Sequence, residues 1–185
     1  MGYGNGDNVE ISNCAYTGNL TVTSPFVTTN IAPKGIGGIV GEISGTTVVR
    51  NCTNLGTIQT ERSMGTGGIV GYIGGYGNKK ITIEKCGNQG SISASPEKTP
   101  TYLGGILGIA NGNYGSVLVQ GCYNTGSITG RERFGGILGS ESTTVGSQSG
   151  CPGLEIQNCY NAGKLIGPNN QGGTNMGGLA GYPID

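Results

Sequence analysis

The sequence predicts an all-β protein, a parallel β-solenoid of about five coils. Three observations predict it. Three short words recur five times, in the same order, along 185 residues. The apolar residues within these words repeat at spacing two. No segment holds an apolar helical face over the roughly ten residues that a helix needs, and glycine every few residues opposes one.

The first word is a pair of residues at period two: Val9 and Ile11, Thr47 and Val49, Ile81 and Ile83, Val117 and Val119, Leu154 and Ile156. Such a pair reads as a strand with one buried face. A cysteine follows three places after each pair. Three is an odd step, so the chain must bend before the cysteine. The residues there are Ser12-Asn13, Arg50-Asn51, Glu84-Lys85, Gln120-Gly121 and Gln157-Asn158, and polar or small residues suit a corner.

The second word is C-x-N-x-G-x-[I/L]. It runs from Cys52, Cys86, Cys122 and Cys159 through Asn54, Asn88, Asn124 and Asn161. The first copy has Cys14, Gly18 and Leu20, with Tyr16 in the asparagine place. The third word is G-G-[I/L]-[V/L/A]-G, at Gly37–Gly41, Gly67–Gly71, Gly104–Gly108, Gly135–Gly139 and Gly177–Gly181. It reads either as a short strand buried on both faces or as a tight bend, since glycine allows close backbone approach.

The cysteines are 38, 34, 36 and 37 residues apart. The connections absorb this variation. Thr21 to Ile36, Gly74 to Lys80, Asn111 to Gly115 and Ser140 to Gly153 read as loops outside the stack, where the copies differ and where function would lie. One repeat cannot bury its own apolar residues. Stacked coils can, if each strand pairs in parallel with its equivalent about 4.8 Å away. Like residues then form columns. Right-handed winding, a right-handed β-helix, follows from the general chirality of parallel crossovers. Residues 1–185 read as one solenoid domain from a larger protein. Open solenoid ends expose strand edges, so the parent is expected to continue on both sides.

The repeat resembles the GLUG-motif repeats of large bacterial surface proteins. Those occur in adhesin-like proteins and in the N-terminal region of the M26 family of IgA-cleaving metallopeptidases. The resemblance runs from about Val9 to Gly181. It implies an extracellular module, on the bacterial cell surface or secreted, with no catalytic residue. A metallopeptidase centre would need H-E-x-x-H, and this chain has no histidine.

Composition and spacing narrow the chemistry. Forty glycines and seven prolines punctuate a period, so they do not signal disorder. Ten cationic and ten anionic side chains leave no net charge to seek nucleic acid or an anionic membrane. No stretch reaches the roughly 18 apolar residues of a bilayer span. The cysteines lie too far apart in sequence for a zinc cluster, and without histidine no Cys–His nucleophile forms. The five repeated cysteines read as buried free thiols. Cys151 breaks the pattern and either bonds Cys159 or stays free. The asparagines read as a corner ladder. The double glycines lack a G-K-[S/T] ending, so they are not phosphate loops.

The acids are scattered, with Glu10, Glu84 and Glu155 expected to share one outward repeat position. This gives no carboxylate pair or calcium set. No catalytic, cofactor-binding or metal-binding residue is therefore expected, and the chain is not read as an enzyme. Tyr76, Tyr114, Tyr123 and Tyr160 are the candidate ligand contacts, because tyrosine suits glycan and protein surfaces. The reading is a structural and adhesive module whose partners are a host protein or glycan and neighbouring domains of the parent chain. The alternatives are a substrate-recognition region of an IgA-cleaving-type metallopeptidase and a carbohydrate-active β-helix enzyme.

Overall fold

The molecule, a computed structural model, is described at residues 3–4, 8–23, 34–95, 101–142, 153–167 and 175–182, without the side chains of 3–4, 76, 113–114 and 142. Every described segment is strand, turn or bend, and no described residue is helical. The chain winds as a parallel β-solenoid with four stacked sheets. Sheet 1 has nine strands. Its main path runs through Tyr3–Gly4, Val40–Ile43, Val70–Glu84, Leu107–Gln120, Leu138–Ser142 and Ala180–Tyr182. Val9–Ser12, Thr47–Arg50 and Leu154–Gln157 branch from it.

The other three sheets have five strands each. Sheet 2 stacks Ala15–Tyr16, Thr53–Asn54, Gly87–Asn88, Tyr123–Asn124 and Tyr160–Asn161. Sheet 3 stacks Asn19–Val22, Thr57–Thr60, Ile92–Ala94, Ile128–Thr129 and Leu165–Ile166. Sheet 4 stacks Gly35–Gly37, Ser63–Gly67, Thr101–Gly104, Arg133–Gly135 and Asn175–Gly177. Equivalent residues pair across rungs, as in Asn54↔Asn88↔Asn124↔Asn161.

The corner before each cysteine has a specific geometry. Asn13, Asn51, Lys85, Gly121 and Asn158 all adopt left-handed backbone, with φ of 56°, 53°, 51°, 59° and 52°. One left-handed residue reverses the strand's facing, so the aliphatic pair and the cysteine three places on both point inward. Asparagine and glycine tolerate this conformation best; Lys85 is the exception.

The second word splits into two strands rather than one, because the chain turns at the asparagine. Its glycines, such as Gly56, Gly90 and Gly126, lie against the carbonyl of the preceding rung's glycine, and any side chain there would collide with backbone. The third word is the tight bend: its first glycine ends a sheet 4 strand and its fourth residue starts a sheet 1 strand.

The core has two compartments. One holds the sheet 1 aliphatics, the cysteines and the aliphatics of the third word, among them Ile83, Val119, Cys86, Cys122, Ile106 and Leu107. The other holds Ile36, Ile58, Ile92, Ala94, Leu103, Ile128 and Phe134. The asparagines and the double glycines meet at the waist between them. A Cβ on Gly68 would lie 2.6 Å from the Asn88 side chain, and one on Gly105 would lie 2.6 Å from that of Asn124.

Two expected loops are strand instead. Residues 74–77 pair with 111–114, as Gly74↔Asn111 and Gly77↔Tyr114, with a register shift before Lys80↔Ser116. These adjacent insertions are similar in length, so each satisfies the other's backbone groups. Most of Thr21–Ile36 and Ser140–Gly153 lies outside the described residues, as does Cys151.

Candidate functional site

The repeated polar residues are consumed by the fold. Asn54 Nδ2 donates to Asn88 Oδ1 at 2.6 Å, Asn88 to Asn124 at 2.6 Å, and Asn124 to Asn161 at 2.7 Å. Asn88 and Asn124 also donate to the Gly90 and Gly126 carbonyls, at 2.9 and 3.0 Å. Asn54, Asn88 and Asn124 are fully buried, and this ladder satisfies them. The asparagines therefore form no binding row.

Cys14, Cys52, Cys86, Cys122 and Cys159 are free thiols. Each donates to the carbonyl two residues before it, at 3.2 to 3.3 Å, so the thiol caps the left-handed corner as well as filling core. Burial pushes the Cys52 thiol up to about 11. At the last rung the neighbouring Cys122 thiol, helped by main-chain N–H groups, holds Cys159 down at about 7. The same contact raises Cys122.

The outward faces vary from rung to rung. On sheet 2 the outward row reads Ala15, Thr53, Gly87, Tyr123, Tyr160. Tyr123 and Tyr160 stack, with ring centroids 5.7 Å apart and planes 14° from parallel. The Tyr123 ring lies over Gly87, where a Cβ would strike it. Gln89 Nε2 donates to Tyr123 Oη at 2.9 Å. Tyr160 is 54% exposed. Two of the four candidate tyrosines are thus brought together. Tyr76 and Tyr114 lie in sheet 1 strands, not loops, and their side chains are outside the described part.

Three further features escape sequence reasoning. The Arg133 guanidinium sits over two rings, Tyr182 at 4.0 Å and Tyr102 at 5.2 Å, and Nη1 donates to Ser140 Oγ at 3.4 Å. Only the register Tyr102↔Arg133 reveals it. Glu141 is buried, in the column of Ala110, Ile73 and Ile43. A shallow groove of about 330 Å³ crosses three rungs at the end of sheet 3, lined by residues that include Thr21, Gln59, Thr60, Glu61, Ser93 and Ala94.

The described acids do not gather. Glu10 and Glu155 share the row Glu10, Val48, Thr82, Leu118, Glu155. Glu84 lies two places further on, paired with Arg50 and Gln120, so the expected common position of the three holds for two. The count back from cysteine gives this same register, four places for Glu10 and Glu155 but two for Glu84. Arg50 Nη2 meets Glu10 Oε1 at 2.6 Å, which holds the Glu10 carboxyl below its usual range. Gln120 donates to Glu84, and Gln157 to Glu155. Among the described residues no group of three or more His, Cys, Asp or Glu is placed to hold a metal.

Sealed columns and a rung-by-rung variable exterior define a β-solenoid repeat protein. The family model of the GLUG motif matches residues 32–59, which span the bend Gly37–Gly41 and Cys52, Asn54, Gly56 and Ile58. The chain therefore carries the GLUG motif. Neither the curated proteins nor the solved structures include a match to the chain.

Proposed function

We propose that this structural repeat module is non-catalytic and adhesive, part of a bacterial cell-surface or secreted protein, and serves as stalk and binding surface. One observation carries the reading. The repeated residues are spent on core, waist and corners, while outward rows such as Ala15, Thr53, Gly87, Tyr123, Tyr160 hold four residue types in five rungs. A rigid scaffold with a varied exterior suits recognition of a host protein or glycan. The stacked pair Tyr123–Tyr160, with Gln89 beside it, is the contact favoured here, since tyrosine offers an apolar face and a polar tip. The test is a glycan and host-surface-protein binding screen with the wild type and with Tyr160→Ala. Binding weakened by the substitution, with the fold unchanged by circular dichroism, supports the reading. Turnover of a glycan that is lost on replacing one acid would replace it with an enzyme.

A further inference from the structure

The cysteine column offers chemistry that the repeat does not use. Cys122 and Cys159 lie on adjacent rungs, each preceding a residue of the paired Tyr123 and Tyr160, and both are free thiols. Parallel rungs are about 4.8 Å apart, so the equivalent Cβ atoms of the two cysteines stack at about that spacing. This is longer than the roughly 3.5–4.5 Å between the Cβ atoms of a disulfide. Two metal–sulfur bonds of about 2.3 Å placed end to end span it.

The main chain favours negative charge on both sulfurs. The Cys86 N–H donates to Cys122 Sγ at 3.5 Å, and the Cys122 N–H to Cys159 Sγ at 3.4 Å. These donations run from each rung to the next, so Cys14, which begins the column, has no cysteine N–H before it. Cys52, Cys86 and Cys122 are sealed, while Cys14 and Cys159, at the two ends of the column, are half-buried; of the two end pairs, Cys122 and Cys159 is the one in which both sulfurs receive a cysteine N–H.

We propose that Cys122 and Cys159 bind one soft monovalent cation, Cu(I) or Ag(I), in linear two-sulfur coordination. With only two ligands the site does not suit zinc, which takes four in structural sites, or hard cations, which take oxygen; thiolate pairs select soft ions. On binding, each S–H bond breaks and its proton leaves to solvent. Two sulfur–metal bonds form, and nothing is oxidised or reduced. The thiol bonds to the Gln120 and Gln157 carbonyls are given up, while the N–H bonds to sulfur are kept.

The experiment titrates the reduced chain with Ag(I), read by the ultraviolet silver–thiolate band and by mass spectrometry of thiols protected from alkylation. The expected result is one tight equivalent that protects Cys122 and Cys159. That equivalent is lost in Cys159→Ser and retained in Cys14→Ser and Cys151→Ser, with circular dichroism confirming the fold of each variant. The protection map on the wild type needs no variant, so a misfolded substitution leaves the test intact. Absence of a tight equivalent, protection centred on Cys151, or undiminished binding by a folded Cys159→Ser variant overturns the proposal.

Discussion

The rung around Cys122 and the rung around Cys159 carry nearly the same words, yet one is sealed and the other open. Phe134 and Ile137 are fully buried; their equivalents Met176 and Leu179 are 53% and 42% exposed. Asn124 is fully buried and Asn161 half-buried. Gly136 has no room for a methyl group, whereas Gly178, at the same place in its word, has nothing within 4 Å of an added Cβ. Burial in a solenoid is supplied by the next rung and not by the residue itself. Identical words should therefore differ in energetic weight with position in the stack.

The largest contrast expected is in the second core compartment. Phe134→Ala should destabilise the chain by about 3–5 kcal/mol, as removal of a sealed aromatic does. Met176→Ala should cost under about 1 kcal/mol, because most of that side chain already faces water. Denaturant midpoints measure both, and equal shifts would break the comparison.

Next comes the waist. Asn124→Leu removes the cross-rung bonds of the Asn88 amide and the Asn161 carbonyl oxygen, which keep only their bonds to Gly90 and Gly163, and buries an apolar side chain among them, a cost of roughly 2–4 kcal/mol. Asn161→Leu removes the bond from Asn124 and two to the Gly163 main chain, but at a wetter site where water replaces them, and should cost about 1 kcal/mol. An unchanged thermal midpoint for Asn124→Leu would show that the ladder is not stabilising.

The glycine bend gives a smaller effect. Gly105→Ala drives a methyl group toward the Gly136 carbonyl and the Asn124 side chain, for roughly 1–3 kcal/mol of overpacking. Gly178→Ala should be near neutral. Matching losses for the two would mean that backbone conformation, rather than contact, selects glycine in this word.

The smallest effect has the opposite sign. Lys85 holds a left-handed conformation that asparagine or glycine occupies at the four equivalent corners. Lys85→Asn should stabilise the chain by about 0.5–1 kcal/mol. A loss of stability would mean that the lysine makes a compensating contact.

Much of this was legible before the fold was known. The aliphatic pairs, the cysteines and the asparagines announce inward columns, because period two and a fixed repeat leave them nowhere else to go. The corner was legible as a bend from the odd step before each cysteine, though not as a single left-handed residue. The turn inside C-x-N-x-G-x-[I/L] was legible from its asparagine, the residue of a corner ladder, although the alternation continues through it. The strand character of residues 74–77 and 111–114 was not legible, since their glycine and asparagine content signals a loop. Their partner is another rung of the same stack, and propensity is blind to it.

The candidate site divides the same way. Tyr123 and Tyr160 stand out as residues after repeated cysteines, but their stacking depends on Gly87 beneath the first ring. Arg133 between Tyr102 and Tyr182 had no signal in the chain order.

By itself, then, the sequence determined the repeat, its parallel stacking and which residues face inward, because a short unit that cannot bury its own apolar residues must borrow burial from its copies. The tertiary structure alone decided the waist that splits the core, the register of the outward rows and the unequal burial of equal words. Those depend on distances across and between rungs, which the one-dimensional period does not contain.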